Sequence, residues 1–134
     1  MDTIPDLKHL ADKLAIREVL EEYCLRLEVN AFEEWLDLFT PDSVYEVYGR
    51  TLGGRQEIAD MLSKAPHGIH LGDPMRIEVG GDTAETIQSY AFYGDNQKFS
   101  NKGWYYRSLV RTDRGWRISH TRVEFQKSVD KSPG

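Results

Sequence analysis

Apolar positions in the first part of the chain recur every three and four residues, the spacing of one face of an α-helix. This pattern predicts an amphipathic helix over about residues 6–28. A second apolar pattern predicts a short helix over 31–39, with Asn30 and Glu33 as a capping pair at its start. The stretch "GGRQEIADMLSKA" predicts a third helix after a glycine turn.

Stretches rich in valine, isoleucine, threonine and tyrosine predict β-strands. "SVYEVYG" predicts a first strand at 43–48, before the third helix. Four more are predicted as a meander: His70–Val79, Thr83–Tyr93, "WYYRSLVRT" and "WRISHTRVEFQ". Helices segregated from an antiparallel sheet predict an α+β fold with the helices on one face. We expect one domain over 1–134, with a polar, flexible tail at 126–134.

Composition narrows the classes of partner and compartment. A chain of 134 residues is the size of one domain with one core. The net charge of -5 and the pI near 5.3 argue against nucleic acid or an anionic membrane as a partner. A single cysteine, Cys24, allows no internal disulfide. No apolar run approaches the ~20 residues of a membrane helix, and the N-terminus lacks a signal-type apolar core, so we expect a cytoplasmic protein.

Four blocks of sequence resemble the SnoaL-like family in the same order. The first resembles the family's opening helix, in which a tyrosine is followed five residues later by an acid. The blocks are "DKLAIREVLEEYCLRLEVNAFEEWLDLFTPDS", "GGRQEI", "HLGDPMRIEVGGDTAE" and "GWYYRSLVRTDRGWRISHTRV". The resemblance covers residues 12–125. It implies a cone-shaped roll of a curved antiparallel or mixed sheet, with three N-terminal helices enclosing a pocket. Scytalone dehydratase, ketosteroid isomerase and nuclear transport factor 2 share that fold.

His70 is the first candidate for chemistry. The resemblance places it where the dehydratase and dehydrochlorinase members keep a catalytic histidine. An imidazole titrates near neutrality, at about pH 6.5, and can take a proton from carbon and return it to a leaving group. The alternative is a strand-end histidine bonded to backbone or solvent. His67 matches no catalytic position of the family, and alternation along a strand would point the two histidines to opposite faces, away from a shared metal.

Glu28 and Tyr23 complete the predicted catalytic set. The resemblance places Glu28 where the family's enzymes have an aspartate that holds the histidine tautomer and stabilises the imidazolium. Glutamate is one methylene longer, a departure from the family pattern that would place the ring differently. The alternative for Glu28 is a solvated helix acid. The resemblance also implies that Tyr23 holds a water or polarises a substrate carbonyl.

Further candidates would bind the substrate. Tyrosine hydroxyls can donate to a developing oxyanion in a dry pocket, although tyrosines on a core face usually serve packing. Arg107 and Arg111 share one face of the predicted strand with Tyr105, and one of them could meet a substrate carboxylate or a leaving anion, with Arg111 as the substrate-binding candidate. The alternative is that both arginines cover the sheet surface. The aromatic candidates are Trp35, Tyr45, Tyr90 and Phe92.

Taken with the resemblance, these residues predict a lyase of the dehydratase type, or an isomerase, acting without a cofactor on a small hydrophobic cyclic substrate. Neither a dinucleotide fingerprint nor a phosphate-binding loop occurs in the sequence. The alternatives are a non-catalytic assembly subunit and a binding module for hydrophobic ligands. An open sheet with an aromatic face also predicts a homodimer or homotrimer.

Overall fold

Three helices and six strands make up the part of the chain that the computed structural model describes, residues 6–95 and 100–126. Apart from Gln126, the predicted tail at 126–134 lies outside these residues. Along the chain the elements are α1 (Leu7–Glu28), α2 (Phe32–Leu36), β1 (Phe39–Val47), β2 (Arg50–Gly53), α3 (Gly54–Leu62), β3 (Gly68–Gly80), β4 (Thr83–Gly94), β5 (Ser100–Thr112) and β6 (Gly115–Phe125). The predicted α+β fold class is confirmed.

The six strands form one mixed sheet in the order β2-β1-β6-β5-β4-β3. Strands β3 to β6 are the predicted antiparallel meander. β1 joins it by pairing in parallel with β6, and the unpredicted β2 adds an antiparallel edge. Register shifts in β1, β3 and the β5–β6 pair mark irregularities of the kind that bend strands. The sheet is curved and unclosed, with β2 and β3 as its free edges.

Helix α1 covers the concave face of the sheet. Its N-terminus is capped by the Asp6 carboxylate, which accepts from the backbone N–H of Lys8 at 3.0 Å. Ile16, Leu20 and Tyr23 follow at helical spacing and are fully buried. Within the described ranges, no helix is long and apolar enough to cross a membrane.

Asn30 ends α1 and does not begin α2, which corrects the predicted capping pair with Glu33. Its φ of 60° is left-handed, a conformation that asparagine tolerates better than most residues. The backbone N–H of Ala31 then donates to the carbonyl oxygen of Arg26 at 2.8 Å and closes the helix end. Ala31 caps α2 without a side-chain hydrogen bond, and α2 is limited to Phe32–Leu36.

An aromatic cluster fills the core beneath α1 and α2. Trp35 and Phe39 are completely buried, with ring centroids 4.7 Å apart. Phe32 stacks on the Trp35 indole at 5.4 Å, and Tyr23 lies 5.3 Å from it. Such contacts add to the stabilisation from burying apolar area. The cluster anchors the short helix α2 and positions the Tyr23 side chain.

Arg111 joins three parts of the chain at the opposite end of α1. Its guanidinium donates two hydrogen bonds to Asp12 on α1, both at 2.8 Å. It also donates to Asp82, in the turn between β3 and β4, at 2.9 Å. The bonds from Arg111 hold the pKa of the Asp12 carboxyl below its usual range. Trp116 packs under the guanidinium at 4.6 Å, so Arg111 fixes α1 against the end of the sheet.

Candidate active site

A cavity of about 420 Å³ opens between α1, α3 and the concave face of the sheet. A site for a small ring compound needs at least about 300 Å³, so the volume is sufficient. The structure brings five of the predicted site residues together on its wall: Tyr23, Tyr45, His70, Tyr90 and Phe92.

His70 lies on β3 directly opposite Phe92 of β4, and the two ring centroids are 4.7 Å apart. Its Nδ1 is buried and makes no hydrogen bond to any described residue. Burial, with smaller effects from the charges of Arg107 and His67, lowers the pKa of His70 to about 4. At neutral pH the imidazole is therefore uncharged, which is the form that can accept a proton.

The predicted hydrogen bond between Glu28 and His70 is not formed. Across the described ranges, neither ring nitrogen of His70 has the Glu28 carboxylate as a partner. Glu28 is the last residue of α1, so its backbone carbonyl lacks an intrahelical partner. That carbonyl oxygen accepts from Nε2 of His67 at 2.9 Å. Glu28 thus holds His67 through its backbone carbonyl, and its carboxylate forms no hydrogen bond with His70 among the described residues.

His67 has the acidic partner that was expected for His70. Its Nδ1 lies 2.6 Å from the Asp95 carboxylate, while its Nε2 faces the Glu28 carbonyl oxygen. Both partners only accept, so His67 satisfies both when it is protonated on both nitrogens. The Asp95 hydrogen bond, followed by the Glu28 carbonyl, raises its pKa. His67 and His70 both border the cavity, against expectation, because His67 precedes β3 and does not share its alternation.

Two tyrosine hydroxyls meet on the cavity wall. The Tyr23 and Tyr45 oxygens are 2.5 Å apart, and both residues are buried. Burial raises the pKa of each phenol, so both remain protonated. Two hydroxyls carry two protons, and their mutual hydrogen bond uses one. The other proton is available to a ligand oxygen.

Aromatic rings line the wall beside His70. The Tyr90 ring stacks on that of Tyr105, with centroids 4.4 Å apart, and its hydroxyl donates to the Asn101 side chain at 2.7 Å. Phe92 packs where Gly68 has no side chain, since a Cβ at that position would collide with the Phe92 ring. The wall suits a flat, apolar ligand.

Trp35 and Arg111, both predicted to bind substrate, do not border the cavity. Trp35 is taken up by the aromatic core, where it has no exposed surface. Arg111 is held by Asp12 and Asp82 at the other end of α1. Both were selected for residue type, and neither lies where a ligand in the cavity could touch it.

Arg107 lies close to the cavity, where sequence reasoning favoured a place on the sheet surface over a role in binding. It was expected to cover the sheet surface, yet only 1% of it is exposed. Its guanidinium carbon lies 4.2 Å from the Tyr23 ring centre and 3.9 Å from that of Tyr105. The signal was present in the strand period, because Arg107 shares the inward face of β5 with Tyr105 and Leu109.

The low pKa of His70 predicts an acid-sensitive stability. Below about pH 6.5 the unfolded chain protonates this histidine, while the folded chain resists down to about pH 4. The free energy of unfolding should therefore fall over that window, by a few kcal/mol at most. His67, with a raised pKa, adds stability as the pH falls towards 6.5 from above.

Urea titrations at several pH values check this. In His70→Gln the new side chain does not titrate, so the free energy of unfolding should change less between pH 6.5 and 4 than it does in the parent protein. Parallel curves for the two proteins would contradict a buried neutral His70.

Comparisons with known proteins agree with this architecture. The family description "SnoaL-like domain" matches residues 8–122. The uncharacterized protein Rv2910c of Mycobacterium tuberculosis is 32% identical over 136 residues, covering 90% of both chains. A variant of Rv3472, a protein of unknown function from the same organism, superposes with a TM-score of 0.83 at 26% identity, covering 94% of this chain and 78% of that one. The hexachlorocyclohexane dehydrochlorinase LinA-type3 of Novosphingobium barchaimii gives a TM-score of 0.80 at 20% identity, covering 91% of each chain.

Proposed function

We propose that this chain, which belongs to the SnoaL-like domain family, is a cofactor-independent lyase of the dehydratase type, or an isomerase, acting on a small hydrophobic cyclic substrate. Because one fold can serve many activities, the proposal rests on the chain's own cavity. One observation carries the proposal. A neutral, half-buried imidazole shares an aromatic cavity with a pair of tyrosine hydroxyls, of which one proton is free.

His70 is the proposed general base. It takes a proton from the carbon beside a carbonyl group, and the C–H electron pair moves into a new double bond. In an elimination the leaving group departs with its bonding pair, and the His70 imidazolium can return the proton to it. In an isomerisation the same imidazolium returns the proton to another carbon.

The Tyr23–Tyr45 pair is the proposed site for the carbonyl oxygen. Negative charge builds up on this oxygen as the proton leaves carbon, and a hydroxyl donor in a dry cavity stabilises it. The short mutual hydrogen bond orients the two hydroxyls before the substrate arrives. The pair therefore supplies the electrophilic half of the proposed reaction.

The substrate needs an acidic C–H bond. A base with a pKa of about 4 has little driving force to remove a proton from an unactivated carbon. A ring carbon next to a carbonyl group is activated in this way. We therefore propose cyclic β-hydroxy or β-halo ketones as the compounds to test first.

A substrate screen tests the proposal. Purified protein would be incubated with cyclic β-hydroxy ketones, and conjugated enones would be detected by ultraviolet absorbance. Turnover that disappears in His70→Ala would support a lyase. Tight binding of the same ketones without turnover would support a ligand-binding module instead. The open cavity favours these two roles over an assembly subunit, in which side chains would fill the cone.

Glu28→Gln distinguishes two arrangements of the site. We expect a loss of kcat/KM well short of the ~100-fold typical of a lost acid–base group, because no hydrogen bond joins the carboxylate to His70 in the described part of the chain. The backbone bond to His67 is unaffected by this change. Steady-state kinetics with a substrate identified in the ketone screen provide the measurement. A loss of kcat/KM as large as that of His70→Ala would contradict this expectation and would indicate that the Glu28 carboxylate acts together with His70.

We also propose that the protein forms a homodimer or homotrimer through the outer face of the sheet. Trp104 and Tyr106 alternate with the inward Tyr105 and are only partly buried. Sedimentation velocity on the protein and on Trp104→Arg would test it, since a charge in an apolar contact should shift the population towards monomer.

A further inference from the structure

The positive charge of Arg107 has no counter-charge among the side chains that the structure describes. Its Nη1 donates to the Gln88 side-chain oxygen at 2.8 Å, whereas Nε and Nη2 are buried and have no hydrogen-bond partner among the described residues. None of the carboxylates described in residues 6–72, 74–95 and 100–126 lies within ion-pair distance of it. Buried charges are normally paired, because removing an ion from water costs several kcal/mol. An unpaired guanidinium at this position therefore calls for an explanation.

The Arg107 charge lies one ring away from the cavity. The guanidinium packs on the faces of Tyr23 and Tyr105, and both tyrosines also line the cavity. Such contacts with ring faces partly replace the lost water. The field of the unpaired charge still reaches the hydroxyl group of Tyr23: it opposes the rise in pKa that burial causes there. The same charge disfavours protonation of His70.

We propose that Arg107 is a specificity and positioning residue that makes the cavity select anionic ring compounds, with an enolate or phenolate oxygen held at the Tyr23–Tyr45 hydroxyl pair. Arg107 does not touch the ligand. Its charge makes the tyrosine hydroxyls stronger hydrogen-bond donors. The same charge attracts a negatively charged ligand oxygen into the cavity.

This inference deepens the proposed function, on which its relevance to catalysis rests. An enolate is the species that forms when His70 removes a proton beside a carbonyl group. Binding of a stable phenolate, however, requires no reaction and no base. The charge preference of the cavity can therefore be measured separately from turnover.

The probe is 4-nitrophenol, whose phenolate and phenol absorb at different wavelengths. Titrations of the full chain at several pH values give the affinity for each form. We expect at least a tenfold preference for the phenolate, seen as a fall of one unit or more in the pKa of the bound phenol. Uncharged 4-nitroanisole measures the affinity of the aromatic walls alone.

Arg107→Met removes the charge and keeps much of the side-chain volume. We expect it to abolish the phenolate preference and to leave 4-nitroanisole binding within a few-fold of the parent. Arg122→Met is the matched control. Arg122 also lies on a tyrosine ring, Tyr106, at 4.1 Å, but it is exposed and paired with Glu124. The control should keep the full preference.

Three results would overturn the inference. The parent protein could bind phenol and phenolate equally, a result that needs no variant to fold. Arg107→Met could keep the preference. Arg107→Lys, which retains the charge, could lose the preference as completely as Arg107→Met. The ketone screen could show no turnover while the phenolate preference still depends on Arg107. That pair of results would refute the proposed enzyme and leave this inference standing.

Discussion

Replacing His70 with alanine is expected to lower kcat/KM by about a hundredfold or more, the usual contribution of a general base. The imidazole is the half-buried, uncharged group on the cavity wall that we propose as the proton acceptor. Affinity for a non-reacting ligand should change little, because Tyr45, Tyr90 and Phe92 still line the cavity. Steady-state kinetics and equilibrium binding of one ligand series together give both quantities.

His120→Ala is the matched control for this experiment. His120 also lies on a strand, but its Nε2 pairs with Glu46 at 2.6 Å, and it is not among the residues that line the cavity. The control should keep the activity of the parent. If His70→Ala binds ligand and turns over substrate at the parental rate, His70 is not the base and the proposed mechanism fails.

Trp35→Ala is expected to lower the free energy of unfolding by about 3–5 kcal/mol, the range for truncating a fully buried large aromatic residue. Trp35 has no exposed surface and packs against Tyr23, Phe32 and Phe39. The loss combines the transfer free energy of the indole with the cavity left behind. Denaturant titration with an unchanged slope would measure it.

Trp104→Ala offers a comparison within the same chain. Trp104 is only partly buried, on the other face of the sheet, so its truncation should cost clearly less. The same pair of variants separates the two roles considered for Trp35. Truncating a core residue lowers the free energy of unfolding of the protein. Truncating a substrate-binding residue would lower the affinity for ligand with little change in the free energy of unfolding.

The fold could be predicted from the sequence because its elements have local signals. Apolar spacing predicted α1, and alternation with turn residues predicted the four-strand meander, both to within a few residues except at the start of β5. Strand β2 was missed, since Arg50–Gly53 is short and mostly exposed. The parallel pairing of β1 with β6 joins residues 76 to 79 positions apart, and no local pattern encodes it.

The site could be predicted in part, for a different reason. Residue type and family resemblance selected five residues that do line the cavity. They could not give the direction of the Glu28 side chain, which depends on where α1 ends, or the pairing of His67 with Asp95, 28 residues away. The burial of Arg107 follows from strand alternation, but surface exposure is the usual state of arginine and was therefore preferred.

The two histidines of the cavity move away from the usual histidine pKa in opposite directions. His67 is stabilised in its charged form by Asp95 and the Glu28 carbonyl group, and His70 in its neutral form by burial. The His70 imidazole therefore stays uncharged near pH 6.5, where histidines ordinarily change charge, while His67 takes up its proton at a higher pH than a free histidine would. The proposed base should therefore stay in its proton-accepting form under mild acidification, and we expect the rate of the proposed reaction to change little across pH changes that turn other histidine-dependent proteins on or off.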